Sequence, residues 1–520
     1  MKMTKLYKRL RFLGITVLAG VILNSCTKDY GKINTRRDNV NITEAEVPFL
    51  FSRVLNGIPF EQQSAQNLYA DLYAQYYANN ATYFNTDRYN TGPTGGQYLF
   101  DYIYLRVLPQ MLELLERKDP SSAEAALTNI MWAYAFHLVT DYFGPIPYFQ
   151  AGLQDVTVPY DAQDKIYDDF FKRVTAAVQI LEGKRSEKPF GSYDLFFKGD
   201  VNKWIKFANT FRLRLAIRIS KVDPARAKTE GEAALAGGVF TDSPGDDTWL
   251  PKNTIDYNLL SQMSDWNEFR MSATMESILK GFNDPRMPIY FLPAKNTGTY
   301  EGFRNGLNPE QLAIDANKVN ANSHVGARWT SLASGGIADH FSTPAMVMCA
   351  AEAYFLRAEG ALLGWNMGGT AQELYELGIT NSMRQWGITD NTVIQAYING
   401  TTTPVAPGDY MASPPVSNIP VKFDAGDINV QLEQIATQKW LALFPNGLEA
   451  WADHRRGRYN KLYPIVQSDN PDVTNPATQW IRRLPFFLAE QQNNGPAVEA
   501  AVGLLGGPDK ITTPLWWDKN

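Results

Sequence analysis

Histidine and cysteine are scarce in this sequence, with four and two copies among 520 residues. No two of the histidines, His137, His324, His340 and His454, have a metal-ligand spacing such as His-x-x-x-His, so a zinc site is not expected. The Gly-x-Ser-x-Gly, Walker and dinucleotide-binding glycine motifs are also missing from the sequence. These absences exclude the common hydrolase, nucleotide-binding and metalloenzyme patterns, and no cofactor is expected.

Long apolar runs and extended basic runs are missing from most of the chain. Beyond the first 25 residues, no apolar stretch approaches the roughly 20 residues that cross a bilayer as a helix. The net charge is −5 at pH 7, and a mildly acidic chain without a basic run argues against nucleic acid as a partner. Hydrophobic residues make up 44% and charged residues 20% of the chain, which is typical of a folded globular protein.

The first 25 residues have the pattern of a secretory signal peptide. Basic residues from Lys2 to Arg11 precede an apolar stretch from Phe12 to Leu23, which is too short to remain as a membrane-spanning helix. Cys26 follows Leu23-Asn24-Ser25 and resembles the cysteine of a bacterial lipobox. The resemblance implies cleavage before Cys26 and anchoring of this residue by lipid. The alternative is an ordinary signal peptide in which Cys26 is incidental.

The two cysteines also bear on disulfide formation and on how the chain is divided. If Cys26 is lipidated, Cys349 has no partner for a disulfide, and its apolar surroundings predict a buried small side chain. We expect a lipoprotein signal peptide over 1–25, a lipidated tether over 26–45 and one folded domain over 46–520.

Apolar residues recur at helical spacing over most of this domain. The pattern predicts helices over about 68–79, 98–117, 122–142, 162–183, 200–220, 224–236, 345–364, 370–387 and 427–444. Successive helix pairs of similar size, spaced nearly as in tetratricopeptide repeats, predict an all-α, α-solenoid-like fold, although the signature residues of that repeat are not evident. This helical scaffold covers about 46–237 and 345–450, and the tail over 450–520 is predicted to be irregular.

Two stretches rich in Gly, Pro, Asn and Asp interrupt the scaffold, over about 240–343 and 388–426, and a polar aromatic loop spans 81–97. Long irregular stretches inside a compact protein are usually functional. We therefore expect a large loop-rich region that carries the ligand site.

Aromatic residues are abundant, with 12 Trp, 26 Tyr and 27 Phe. An exposed ring can stack on the apolar face of a sugar, and amides and guanidinium groups can bind its hydroxyls. The candidate ligand-binding residues in the loops are Asn80, Tyr83, Trp266, Tyr300, Arg304, Asn305 and Trp329. The alternative is that these rings fix the long loops onto the helical body. Trp132, Trp204, Trp440 and Trp451 lie on apolar helical stripes and are predicted to be core.

Several motifs are similar to those of the SusD/RagB family of Bacteroidetes outer-membrane lipoproteins. They are Asp-Tyr-Phe-Gly-Pro-Ile-Pro-Tyr-Phe-Gln-Ala at 141–151, Lys-Trp-Ile-Lys-Phe-Ala-Asn at 203–209, Glu-Ala-Tyr-Phe-Leu-Arg-Ala-Glu-Gly at 352–360, the stretch 438–456 and Trp-Trp-Asp at 516–518. The motifs follow the family order from nearly one end to the other. One departure is the segment from Arg483 to Asn494, in which the family's proline is displaced.

The resemblance implies a surface-exposed lipoprotein without catalysis, with four tetratricopeptide-like pairs and an irregular ligand-binding region. It would hold an oligosaccharide on the outer side of the outer membrane and deliver it to a SusC-like TonB-dependent transporter. Two alternatives remain open: the same role with an oligopeptide as cargo, and a secreted glycoside hydrolase that uses carboxylates.

The hydrolase alternative depends on Glu449 and Asp453, which would act as general acid and base. The neighbouring Arg455 and Arg456 favour a structural ion-pair network instead, with Arg357, Glu352 or Glu359 as further members. Burial of both carboxylates against cations would exclude the catalytic interpretation, because a general acid needs a raised pKa in a cleft.

Overall fold

The fold is built mainly from α-helices, as the periodicity predicts. The computed structural model describes residues 43–60, 63–92, 95–152, 157–332 and 336–520, and Pro48–Asn520 group into one compact unit. The predicted signal peptide, Cys26 and the tether as far as residue 42 lie outside the described residues. Among the described helices, none is both long enough and apolar enough to cross a bilayer.

The first half of the fold consists mainly of helices. They are α1 (Val47–Phe60), α2 (Asp71–Tyr73), α3 (Gln97–Tyr102), α4 (Leu108–Arg117), α5 (Ala123–Phe143), α6 (Gln163–Glu182), α7 (Val201–Arg218) and α8 (Pro224–Ala236). π-helical turns at Gln63–Ala70 and Ile103–Val107 precede α2 and α4. Side chains of Ser122, Asp200 and Asp223 accept hydrogen bonds from the first backbone N–H groups of α5, α7 and α8, which explains why these helices begin where the sequence predicts.

The loop-rich region contains short strands and helices. In chain order these are β1 (Tyr77–Asn79), β2 (Thr248–Leu250), α9 (Leu259–Asp265), β3 (Phe269–Met271), α10 (Ala273–Gly281), α11 (Met287–Tyr290), α12 (Pro309–Leu312) and β4 (Ala345–Met348). Single 3₁₀ turns occur at Thr86–Arg88, Gly191–Tyr193, Asp315–Asn317, Ala327–Trp329 and His340–Ser342. β1 pairs antiparallel with β3, and β2 with β4.

These strands correct two helix predictions. The helix predicted over 68–79 is a π-helical turn and α2 followed by β1, and the helix predicted over 345–364 begins with β4. Every residue of β1 and β4 is buried. A short, fully buried apolar run cannot be assigned to helix or strand by its periodicity alone.

The second half returns to helices. They are α13 (Ala350–Leu362), α14 (Ala371–Gln385), α15 (Asn391–Ile398), α16 (Ile428–Leu443), α17 (Gly447–Gly457), α18 (Leu488–Asn493) and α19 (Gly495–Leu504). The prediction of an irregular tail over 450–520 is therefore wrong for α17, α18 and α19. The spacing of apolar residues does not predict α17, because its buried face carries charged side chains, among them Glu449, Asp453 and Arg455.

Consecutive helices pack against each other as pairs. α5 contacts α6, α7 contacts α8, α13 contacts α14, and α16 contacts α17; α6 also contacts α7, and α7 contacts α13. This arrangement confirms the predicted all-α fold of tetratricopeptide-like pairs. Trp132, Trp204, Trp440 and Trp451 are all buried between the helices, as the apolar stripes predict.

Buried ion pairs join the helices of the two halves. Arg214 of α7 binds Glu352 of α13, and Arg218 of α7 binds Glu449 of α17, both with a shortest N–O distance of 2.6 Å. One turn further along α17, Asp453 accepts from Lys439 and Arg456, at 2.8 and 2.9 Å, and Arg456 also pairs with Glu359. We name these eight residues the buried ion-pair network. The predicted ion-pair network is confirmed, except that Arg357 donates to the carbonyl of Met367 and Arg455 donates to backbone carbonyls, among them that of Asp141.

The network makes a prediction for Glu449→Gln, which keeps the shape of the side chain and removes its charge. We expect the free energy of unfolding to fall by about 3 kcal/mol, because Arg218 would lose the nearer of its two carboxylate partners in a buried site and keep only Asp141 at 3.3 Å. Chemical denaturation of both proteins measures the difference. Glu187→Gln, at an exposed pair with Lys184, is the matched control and should cost less than about 1 kcal/mol. Equal small losses in both variants would contradict the account.

Candidate functional site

Strand pairing brings two of the predicted ligand-binding loops together. In the β1–β3 register, Asn79 lies opposite Phe269. One residue further, the backbone N–H of Asn80 donates to the carbonyl of Glu268 at 2.9 Å. The loop that follows β1 and the turn that precedes β3 therefore lie side by side, although they are almost 190 positions apart in sequence.

Two exposed aromatic rings lie on this pair of loops. Tyr83 is 76% exposed and Trp266 is 41% exposed. The hydroxyl of Tyr83 donates to the carboxylate of Glu268, and burial raises the pKa of that carboxyl above its usual value. Asn267, between Trp266 and Glu268, is exposed and has a φ of 65°, which Asn tolerates better than most residues. We name Asn80, Tyr83, Trp266, Asn267 and Glu268 the aromatic surface.

The Trp266 side of the aromatic surface is fixed by the end of α9. Asp265, the last residue of α9, accepts a hydrogen bond from Nε2 of His340 at 2.7 Å. It also accepts from the hydroxyl of Thr330 and the N–H of Ser331, both at 3.3 Å. These contacts hold the turn that carries Trp266 against the neighbouring loop.

The Tyr83 side is fixed by buried polar contacts further along its loop. The carboxylate of Asp87 accepts from the N–H groups of Asn79 and Gly306, at 3.2 and 3.3 Å. Arg88 donates to Asp469 at 2.7 Å and to the carbonyl of Leu307 at 2.9 Å. Burial raises the pKa of Asp87 to about 6, although the two N–H donors act in the opposite direction. The loop is thus tied to two distant segments of the chain.

Two candidate residues are buried, and the prediction that they bind a ligand at an open surface is wrong. Trp329 is 1% exposed and packs on Phe444 and Trp386, with ring centroids 5.7 and 5.9 Å away. Asn305 is 3% exposed and donates to the carbonyl of Tyr77 at 2.8 Å. For Trp329 the alternative interpretation holds, because the long loops need a core of their own and this ring supplies part of it.

Arg304 makes its contacts with residues outside the aromatic surface. The half-buried guanidinium of Arg304 stacks over Tyr463 at 4.5 Å and donates to the hydroxyl of Ser413 and the carbonyl of Pro464. Tyr300 is half-buried, and no hydrogen bond or ring contact of the described residues joins it to Trp266 or Tyr83. The structure therefore unites Asn80, Tyr83 and Trp266. It adds Asn267 and Glu268, whose adjacency to Trp266 was the available signal in the sequence.

The carboxylates considered for catalysis belong to the scaffold. Glu449 and Asp453 are 5% and 7% exposed, and both are paired with cations of the buried ion-pair network. Burial alone would raise the pKa of Asp453, but Lys439 and Arg456 hold it well below its usual range. A general acid requires the opposite shift. Within the described residues, no cluster of His, Cys, Asp and Glu has the arrangement of a metal site.

Comparison with known proteins identifies the relatives of this chain. The SusD-like family, described as Susd and RagB outer membrane lipoprotein, matches residues 24–518. No curated protein matches the chain.

Solved structures match over almost the whole described chain. A chitin-binding SusD homolog from Flavobacterium johnsoniae is 36% identical, with a TM-score of 0.82, over 91% of this chain and 99% of the relative. A SusD-like protein from Bacteroides thetaiotaomicron is 31% identical, with a TM-score of 0.80, over 91% and 99%. A SusD homolog from Bacteroides uniformis is also 31% identical, with a TM-score of 0.80, over 91% and 98%.

The buried carboxyl of Asp87 predicts a pH effect on stability. Its pKa is raised in the folded protein, so its contribution to stability is complete below its ordinary pKa and is lost as the pH rises towards 6. Asp87→Asn removes this dependence. The free energy of unfolding of the variant, relative to the parent protein, should therefore rise by on the order of 2 kcal/mol between pH 4 and pH 7. Denaturant titrations at several pH values measure the difference.

The matched control is Asp469→Asn, because Asp469 lies on the same loop attachment. Although burial opposes it, hydrogen bonding from Arg88 holds the pKa of Asp469 below its usual value. This control should show no rise in relative stability over the same range. A flat difference for Asp87→Asn would contradict the account.

Proposed function

The chain belongs to the SusD and RagB family, and from that premise we propose that it captures oligosaccharides at the cell surface without catalysis. The family is described as one of outer-membrane lipoproteins. We propose that this chain is anchored through lipid on Cys26, faces the extracellular side and delivers its cargo to a SusC-like TonB-dependent transporter.

The observation that carries the ligand proposal is the aromatic surface. Two exposed rings and a partly exposed carboxylate lie together on turns that are held in place from both sides. Ring faces can stack on the apolar C–H faces of sugars, while Glu268, Asn267 and Asn80 can hydrogen-bond to sugar hydroxyls and amides. The chitin-binding relative from Flavobacterium johnsoniae makes oligomers of N-acetylglucosamine the first candidates.

The neighbouring strands give less support to an oligopeptide ligand. Peptides commonly bind by adding a strand to a free sheet edge. β3 has β1 on one side, and on the other Met271 donates to the carbonyl of Ser323 and accepts from the N–H of Phe303. At Met271, β3 therefore offers no free edge for a peptide.

Isothermal titration of the purified protein with chitin oligosaccharides tests the proposal. We expect saturable binding, weakened about three- to tenfold by Trp266→Ala or Tyr83→Ala, because each variant removes one stacking ring. The matched control is Phe149→Ala, which removes an equally exposed aromatic ring, 56% exposed, from the end of a different loop. This control should leave the affinity unchanged.

Three outcomes would contradict the proposal. Heat with peptides but with no glycan of a wider panel would favour the oligopeptide alternative. Glycan binding that is unaffected by both aromatic substitutions would place the site elsewhere. Steady heat from turnover would mean that the protein is an enzyme.

A further inference from the structure

A separate cavity of about 200 Å³ lies between α2, α17 and the segment that follows α17. Its floor contains the buried rings of Tyr73 and Trp451, and its rim is open to solvent near the exposed Lys461. None of the residues of the aromatic surface lines it. Drug-sized ligands occupy pockets of roughly 300–1,000 Å³, so this cavity is suited to a single small ring.

An arginine with unused hydrogen-bond donors forms part of the wall. α17 ends at Gly457, and Arg458 follows in the left-handed conformation with a φ of 53°. Its guanidinium lies 3.8 Å from the centre of the Trp480 ring. The side chain of Arg458 donates no hydrogen bond to any described residue, and its Nε and Nη2 are buried without a partner.

The nearest carboxylate does not satisfy this arginine. Asp518 is 3.6 Å from Nη2 of Arg458, whereas it accepts from Nε of Arg482 at 2.6 Å. The arginines of the scaffold behave differently: Arg214, Arg218 and Arg456 each donate to a buried carboxylate. Arg458 is therefore held in position by stacking on Trp480 and by the long ion pair with Asp518, while its Nη1 donates no hydrogen bond within the described residues and is not buried.

The other polar groups at this cavity are also mostly donors. The hydroxyl of Tyr73 and Nε1 of Trp480 make no hydrogen bond within the described residues. His454 lines the cavity, and burial lowers its pKa to about 4, so it is neutral at physiological pH. Its Nδ1 faces the amide oxygen of Asn460 at 3.0 Å, which leaves the amide nitrogen of Asn460 for a ligand. No Asp or Glu lines the cavity.

A cationic wall with no carboxylate in the cavity lining selects a ligand that carries negative charge, and a guanidinium is well matched to a carboxylate. The aromatic floor selects a ligand with an apolar ring face. We propose that this cavity binds one acidic monosaccharide, with its carboxylate on Arg458 and its ring against the aromatic wall. The site is independent of the aromatic surface and does not rest on the capture function.

Titration of the purified protein with D-glucuronate tests this proposal, and D-glucose is the neutral ligand of the same ring size. We expect saturable binding of glucuronate, accompanied by a change in tryptophan fluorescence because the guanidinium is stacked on Trp480. Glucose should bind at least tenfold more weakly. Arg458→Asn, chosen because Asn tolerates the left-handed conformation, should weaken glucuronate binding at least tenfold. Arg458→Lys should also weaken glucuronate binding, since lysine has no planar guanidinium to bind a carboxylate through two N–H groups or to stack on Trp480.

The controls separate a binding role from a structural one. Thermal melting checks that the Arg458→Asn protein is folded; if it is not, Trp480→Phe takes its place and should also weaken glucuronate binding. Binding of chitin oligosaccharides at the aromatic surface should be the same in all of these variants. No saturable glucuronate binding, equal binding of glucose, or glucuronate binding that survives in the folded Arg458 variants would overturn the proposal.

Discussion

Buried ion pairs between helices that are distant in sequence are the constraint on which the rest of this structure depends. Arg214 binds Glu352 and Lys439 binds Asp453, with none of the four side chains more than 9% exposed. Charges at such depth are tolerated only when they are paired. The helices α7, α13, α16 and α17 therefore have one arrangement that satisfies all of them, and the motifs that make the chain resemble its family supply most of these charges. Those motifs specify the scaffold and leave the ligand unspecified.

The loops are held in place by packing on this scaffold. Phe444, at the end of α16, stacks on Tyr290 with ring centroids 4.3 Å apart and also packs on Tyr77 of β1. The loop-rich region thereby gains an aromatic core of its own, and the two strands that carry the aromatic surface are fixed to it. A site held in this way can bind a flexible oligosaccharide without first ordering the protein, which limits the entropy cost of binding.

The sequence predicts the parts of the molecule that depend on local pattern. Helices α5 to α8 were predictable because their apolar residues recur within each helix, and three of them, α5, α7 and α8, are preceded by a capping side chain. Helix α17 was not, because the side chains it buries are charged and find their partners on distant helices, among them α7, α13 and α16. Local sequence also cannot tell that Trp266 is exposed and Trp329 is buried. Both lie in polar loops beside a charged residue, and only long-range packing on Phe444 and Trp386 buries Trp329 and leaves Trp266 exposed.

The most direct test of the central claim is a crystal structure of the protein with a bound chitin oligosaccharide. The account predicts a sugar ring stacked on the indole of Trp266, at van der Waals distance, with Glu268 or Asn80 hydrogen-bonded to the same sugar. Density for the oligosaccharide on another surface, with Trp266 and Tyr83 free of contact, would contradict it.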